Sequence, residues 1–436
     1  MKKIKNPSVA GMFYPNNTDE LLNLFKQYEN DIKIDSNYIS QLVISPHAGY
    51  IYSARCAYQA LKHIKGENIF IFSPAHKVYV NTAAICDYDS FLTPLGEVEL
   101  NKDIISELQV EINNIAFDGE HAIEVQLPIL QYLHKNFKII PVIVGQNGTS
   151  VVNNIISKYW NDKSCSFVIS SDLSHYLSDT QAKKLDEISA YMIESNDYRK
   201  FHPQQACGAA SIIGALKFAQ EKNYSFIRLD MRNSSSATND KSRVVGYGSW
   251  LLYEGEKNTY IAKYFGNLLK EIAYNSIKSK GNVTLENYPC VLNQFGASFV
   301  TLQKNNKLRG CIGSSYAHRP LIADLIHNAY LSAYSDTRFN PLNESELSEI
   351  DIKISLLSEP YEIHFSSEED LLDKIIPCKD GLIIQDGQYR ALYLPSVWEQ
   401  LSDKKLFLYS LKQKAGLEPT YFSKTFKAWK FHSEYI

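Results

Sequence analysis

The chain has 436 residues, enough for two or three domains with cores of their own. Lysine and arginine number 45 against 48 aspartates and glutamates, a formal net charge of −3, and 44% of residues are hydrophobic. That balance speaks against a globally basic nucleic-acid binder. No apolar run reaches the length of a membrane span, and the basic start "MKKIKNPSVAGMFYP" lacks the apolar stretch of a secretory signal. Seven scattered cysteines with no C-x-x-C pair point to reduced thiols and a cytoplasmic protein, not to a disulfide frame or a zinc ribbon.

In chain order, the first 250 residues alternate short apolar runs with helical patterns. The runs are Gln41–Ser45, Asn68–Phe72, Phe137–Val144 and Ser166–Ser170. They are rich in Ile, Val and Phe with little alternation, as expected of strands buried on both faces. Between the first two lies "ARCAYQALKHI", whose Ala57, Ala60, Leu61 and Ile64 share one helix face. The spacing predicts βαβ units and an α/β domain with a central, largely parallel sheet.

Three of these runs end in chemistry-bearing residues. "VISPHAGYIYS" puts His47 just past one strand and "IFIFSPAHKVY" puts His76 just past another; "CSFVISSDLSHY" adds Asp172 and His175. Ligands of open α/β sheets bind at the carboxyl ends of strands. Imidazole and carboxylate suit Fe(II), Zn(II) or Cu. Pro46 and Pro74 would stiffen the approach to each histidine. In "DGEHAIEVQLPIL" His121 stands where a helix begins, flanked by Asp118, Glu120 and Glu124, which could orient a histidine or assist acid–base work. A lone histidine after a strand is ordinarily a cap or a satisfied core residue. The recurrence at several strand ends is what points to a site.

The polar run Glu254–Asn258 reads as a linker. It divides the chain into domains 1–254 and 255–436. Beyond it, Ile261, Tyr264, Phe265, Leu268 and Ile272 mark a long amphipathic helix. Strand-like runs follow, with turns at Lys304-Asn305-Asn306 and Asp386-Gly387, which predicts α+β with antiparallel strands. Arg309-Gly310-Cys311-Ile312-Gly313 reads as a strand ending in a glycine-flanked turn. Arg309 could hold a carboxylate or phosphate there, Gly310 and Gly313 would allow a close approach, and Cys311 is either a nucleophile or a buried cysteine in a tight turn.

The segments "PHAGYIYSA", "SPAH", "DGEHAIEVQLPIL", "SSDLSHY", "CGAASI" and "SRVVGYGSW" together resemble the MEMO family over roughly residues 5–253. That family is similar in fold and site position to class III extradiol ring-cleaving dioxygenases. The resemblance implies His47 and His76 as metal ligands, with His175 and Asp172 lining the pocket, His175 as acid or base, and His121 close by; as an enzyme the chain would use Asp172 and His121 to orient water or substrate. It implies Fe(II), with Cu or Zn as alternatives. It also implies a third ligand, a cysteine in eukaryotic relatives, from the segment before the last strand. Here that segment is "NSSSATNDKSRVVGY", with Ala237 at about that place and Asp240 as the nearest carboxylate. Cys207 matches a family position and reads as a small packing residue at a helix start.

"KLRGCIGS", "AYSDTRFNPLNESEL" and "DIKISLLSEP" resemble the AMMECR1 domain over roughly residues 257–434. The two families are neighbours in the AmmeMemoRadiSam system, which implies a radical SAM protein as partner. This chain carries no C-x₃-C-x₂-C motif of its own. The function expected is an iron-dependent, dioxygenase-like oxidoreductase acting on an aromatic or peptide substrate. A non-catalytic peptide- or ligand-binding adaptor and a metal-handling redox protein are the alternatives.

Overall fold

The computed structural model describes residues 2–32 and 36–436. The chain divides into two units, Met1–Lys257 and Asn258–Ile436.

The first unit is built on a mixed sheet of nine strands. Its spatial order is His175–Leu177, Val244–Tyr253, Leu42–Ser45, Cys165–Ser170, Asn68–Pro74, Lys138–Val144, Ala83–Ile85 and Glu111–Ile112, with Ser225–Asn233 also paired to Val244–Tyr253. The four central strands, from Leu42–Ser45 to Lys138–Val144, are mutually parallel. The expectation of a largely parallel sheet holds for this centre, and Glu111–Ile112 also pairs parallel, with Ala83–Ile85. Val244–Tyr253 joins Leu42–Ser45 antiparallel, Ser225–Asn233 and His175–Leu177 extend that edge antiparallel, and Ala83–Ile85 runs antiparallel on the opposite side. The reason lies in the connections. Ser225–Asn233 leads into Val244–Tyr253 through a short excursion that includes the Ser235–Thr238 helix, too little chain for a parallel crossover.

Helices cover the sheet. Tyr50–Leu61 packs on Leu42–Ser45 and the Ser225–Asn233/Val244–Tyr253 pair, and Asp179–Glu194 packs on the same pair. Thr149–Tyr159 packs on Ala209–Lys222. The buried core includes Phe70, Phe72, Phe167, Phe218 and Trp250.

The parallel register fixes where the site must lie. Ser45 is level with Ser170, Phe72 with Ile169, and Pro74 with Val144. His47, His76 and Asp172 each stand two residues beyond a strand end at this one edge, where chains leaving a sheet can converge.

The second unit holds two antiparallel sheets. One has the order Lys307–Gly313, Ala297–Lys304, Ile350–Leu357, Ser433–Tyr435; the other has Tyr361–Ile363, Lys427–Phe431, Gly381–Asp386, Tyr389–Tyr393. The amphipathic pattern folds as one helix, Lys257–Lys278, burying Ile261, Phe265, Leu269 and Ile272. Asn305 and Asn306 make the first hairpin turn, both with positive φ (52° and 61°), as a two-residue turn matching strand twist requires. In the second core, Trp398 stacks flat on Phe407 with ring centroids 3.7 Å apart. No helix among the described residues is long and apolar enough to cross a membrane.

Candidate metal centre

One ring nitrogen from each of His47, His76 and His121 lies within 4.8 Å of the other two. The rings pack against one another. His76 and His121 are stacked at 4.9 Å, and His47 stands edge-on to both, at 5.3 and 5.5 Å.

Two of the histidines have their tautomer fixed by what surrounds them. His47 is 1% exposed, and its Nδ1 is 2.9 Å from Ser170 Oγ. That hydroxyl already gives its single proton to Ala122 O at 2.7 Å and accepts from Gln126 Nε2 at 2.9 Å. His47 Nδ1 must therefore be the donor, which leaves the lone pair on Nε2. At His76, Nδ1 donates to Glu120 Oε1 at 2.9 Å, so in the neutral ring the lone pair again lies on Nε2.

Glu120 also accepts the backbone N–H groups of His76 at 2.8 Å, His121 at 2.9 Å and Ala122 at 3.1 Å. Burial alone would push this carboxyl up. The hydrogen bond and charge of the His76 side chain and the backbone donors outweigh burial and hold it at about 2. Burial, then the charge of His76, pushes the His47 imidazole down to about 3; burial, then the charge of His47, takes His121 to about 4. Both rings are neutral at neutral pH, the form that ligates a metal. Phe13 packs its ring on His121 at 4.8 Å, and the Phe13 carbonyl accepts Tyr50 N–H at 2.6 Å, tying an N-terminal turn over this edge.

Asp172 accepts the backbone N–H of His47 at 2.8 Å, and its other oxygen is 4.0 Å from His47 Nε2. Burial raises its carboxyl above the usual range. His175 starts the His175–Leu177 strand and is exposed, with its charge felt at both His47 and Asp172. Asp240 stands outside the group: it is exposed, and its carboxylate accepts from Ser242 N at 2.8 Å and Ser242 Oγ at 2.7 Å within its own turn. Ala237 lies in the neighbouring Ser235–Thr238 helix. Of the acids flanking His121, Glu124 serves the N-terminal turn instead, through Ser8 N, Val9 N and the Tyr14 hydroxyl.

The sulfur beside the histidines belongs to Cys207. Its Sγ is 3.4 Å from His47 Nε2. The sequence reading gave this residue a packing role. The signal for more was the adjacent glycine: a Cβ on Gly208 would stand 2.7 Å from Ser171 Cβ and 2.9 Å from Ser170 O. Only a glycine lets this helix start press onto the strand end and bring Cys207 to His47. Burial pushes the Cys207 thiol up.

In the second unit, the Arg309–Gly313 stretch is strand, not turn, and forms a sheet edge. Arg309 does hold a carboxylate, but an internal one: Glu346, at 3.1 Å from Nε and 3.0 Å from Nη2. The two glycines admit neighbours of the same unit. A Cβ on Gly310 would meet Ser332 O at 2.1 Å, and one on Gly313 the Phe299 ring at 2.2 Å. Cys311 is partly buried. Its N–H donates to Asp336 at 2.8 Å and its Sγ accepts from Thr301 Oγ1 at 3.2 Å.

Comparison with known proteins places these arrangements. Residues 5–251 match the model of the Memo-like protein family, and residues 268–436 match that of AMMECR1. A MEMO1 family protein of Archaeoglobus fulgidus is 34% identical over 259 residues, covering 56% of this chain and 97% of that protein. MEMO1 family protein TV1383 of Thermoplasma volcanium is 35% identical, covering 56% and 97%. A crystal structure of the uncharacterized protein PH0010 from Pyrococcus horikoshii aligns over 39% of this chain and 90% of that one, at 32% identity and a TM-score of 0.37. The chain belongs to the Memo-like protein family, and its Memo-like domain is fused to an AMMECR1 domain.

Proposed function

We propose that the Memo-like domain holds one transition-metal ion on His47, His76 and His121, iron(II) foremost, with copper or zinc as alternatives. We propose further that it works as a dioxygenase-like oxidoreductase on an aromatic or peptide substrate. The observation that carries this reading is the pair of fixed tautomers: Ser170 and Glu120 place the ligating lone pair of neutral His47 and His76 on Nε2, with His121 in reach of both. Cys207 Sγ, next to His47 Nε2, adds a soft donor suited to the same metals and ill suited to magnesium or calcium. A bound metal would supply Lewis acidity and, if iron or copper, electron transfer. The chain's own groups supply the rest. Asp172, a buried carboxyl beside His47 that burial raises above the usual range, and exposed His175 are the groups that move protons. A radical SAM protein is the proposed partner of the two-domain chain, and co-purification of the pair tests it.

The test is elemental analysis of protein purified anaerobically, wild type against the His47→Ala/His76→Ala double variant. The expected result is about one iron or copper per chain in the wild type and loss in the variant, with oxygen consumption on aromatic substrates following the metal. Metal without turnover would favour metal handling. No metal in either protein after reconstitution with Fe(II) would sink the oxidoreductase reading and leave the histidines as the grip of an adaptor.

A further inference from the structure

One feature beside the histidines has no part in holding a metal. His175–Leu177 pairs antiparallel with Val244–Tyr253, His175 opposite Val245 and Leu177 opposite Val244. Two steps on one strand face a single step on the other, so Tyr176 is the extra residue of a bulge. Its φ is +59°, in the left-handed region that an aromatic residue enters only at a cost. Bulges of this kind re-aim a side chain. Here the Tyr176 ring stands 64% exposed, with its centroid 5.9 Å from that of His175.

The Arg243 guanidinium lies over the Tyr176 ring, 5.1 Å from its centroid. Arg243 immediately precedes Val244, the residue against which the bulge closes. It is exposed, and among the described residues no carboxylate pairs with it. A guanidinium over a ring face still presents N–H groups in the fork geometry that matches a carboxylate. Two more phenols share this neighbourhood. Tyr247 lies on the Val244–Tyr253 strand, which Arg243 immediately precedes, and Asp172, Tyr52 and Tyr176 are all close enough for their charges to act on its buried hydroxyl. Tyr52, 36% exposed, comes from the helix that follows His47. An exposed arginine on a tyrosine is by itself ordinary surface. The strained bulge beside His175 and the absence of an internal acid are what set this pair apart.

We propose that Tyr176 and Arg243 form a carboxylate-recognising lip of the histidine site, taking a small, flat carboxylate with its anionic group on Arg243 and its flat face against the exposed tyrosines. This rests on the reading of the histidine group as a ligand site, and it names the chemistry that the site selects.

The experiment is calorimetric titration of the metal-free full-length protein with benzoate and with benzamide, its neutral analogue. Wild type is expected to prefer benzoate by about tenfold. Arg243→Gln should abolish the preference while leaving benzamide binding unchanged. Arg243→Lys should keep part of it, because an ammonium retains the charge and loses the fork. Equal affinities for the two probes in wild type, no detectable benzoate binding, or a preference that survives Arg243→Gln would each overturn the proposal. The assay needs no metal, so failure of the metal reading leaves it legible.

Discussion

Glu120 has four N–H groups to satisfy and two oxygens to do it with. Oε2 takes the backbone of His76; Oε1 takes the His76 ring and the backbones of His121 and Ala122. One carboxylate therefore sets the rotamer and tautomer of His76 and pins the main chain from which His121 projects. Glu120→Gln nearly conserves volume but turns an acceptor into a donor facing N–H groups. The expected outcome is a metal affinity lower by about 10–100-fold, read by competition with a chelator. The apoprotein should also lose on the order of 1–3 kcal/mol in thermal melts, because a buried donor is left unpaired. Retained affinity in a folded variant would mean that the carboxylate is structural only. Glu120 was legible in sequence as a neighbour of His121, and His47, His76, Asp172 and His175 as residues just past strand ends. Cys207 was legible only as a packing residue, because it lies 160 residues from His47 and its approach depends on helix packing. Arg309 looked free because Glu346, its partner, is 37 residues later.

At the scale of elements, strand ends and close-packed glycines do most of the positioning. The four buried parallel strands were legible from unbroken apolar runs, whereas the edge strands were not. Ser225–Asn233 reads "SFIRLDMRN", half-buried, with charges at Arg228, Asp230 and Arg232 that break the apolar signal. Those charges are paired in the fold, Arg228 with Glu187 and Glu194, and Arg232 with Asp230. In the second unit, Gly310 sits where the Lys307–Gly313 strand meets the Leu321–Tyr334 helix, and the atom in the way of any Cβ is a backbone oxygen. A side chain can rotate aside; a helix carbonyl cannot. Gly310→Ala is therefore expected to destabilise the second unit by about 1–3 kcal/mol, the usual cost of overpacking. Urea denaturation monitored by Trp398, buried in that unit, checks it. An unchanged midpoint would show that the helix shifts freely.

At the scale of the whole molecule, every residue assigned to the metal centre and its carboxylate lip falls within Met1–Lys257, from Phe13 to Tyr247. That unit closes its own sheet and core, and Asn258–Ile436 has separate sheets with a Trp398–Phe407 core. Both lie in or close to the size range of independently folding domains. The polar run Glu254–Asn258 stands where the last strand of one unit gives way to the first helix of the other, so cutting there severs no strand or core cluster. The expected outcome is that residues 1–257 expressed alone stay soluble, bind the same metal per chain as the full protein and melt in one transition. Residues 258–436 should fold separately without acquiring that metal. Elemental analysis and calorimetry of the two fragments decide it. If residues 1–257 fold but load less metal than the full chain, the AMMECR1 domain takes part in building or closing the centre; equal loading assigns the centre to the Memo-like domain alone.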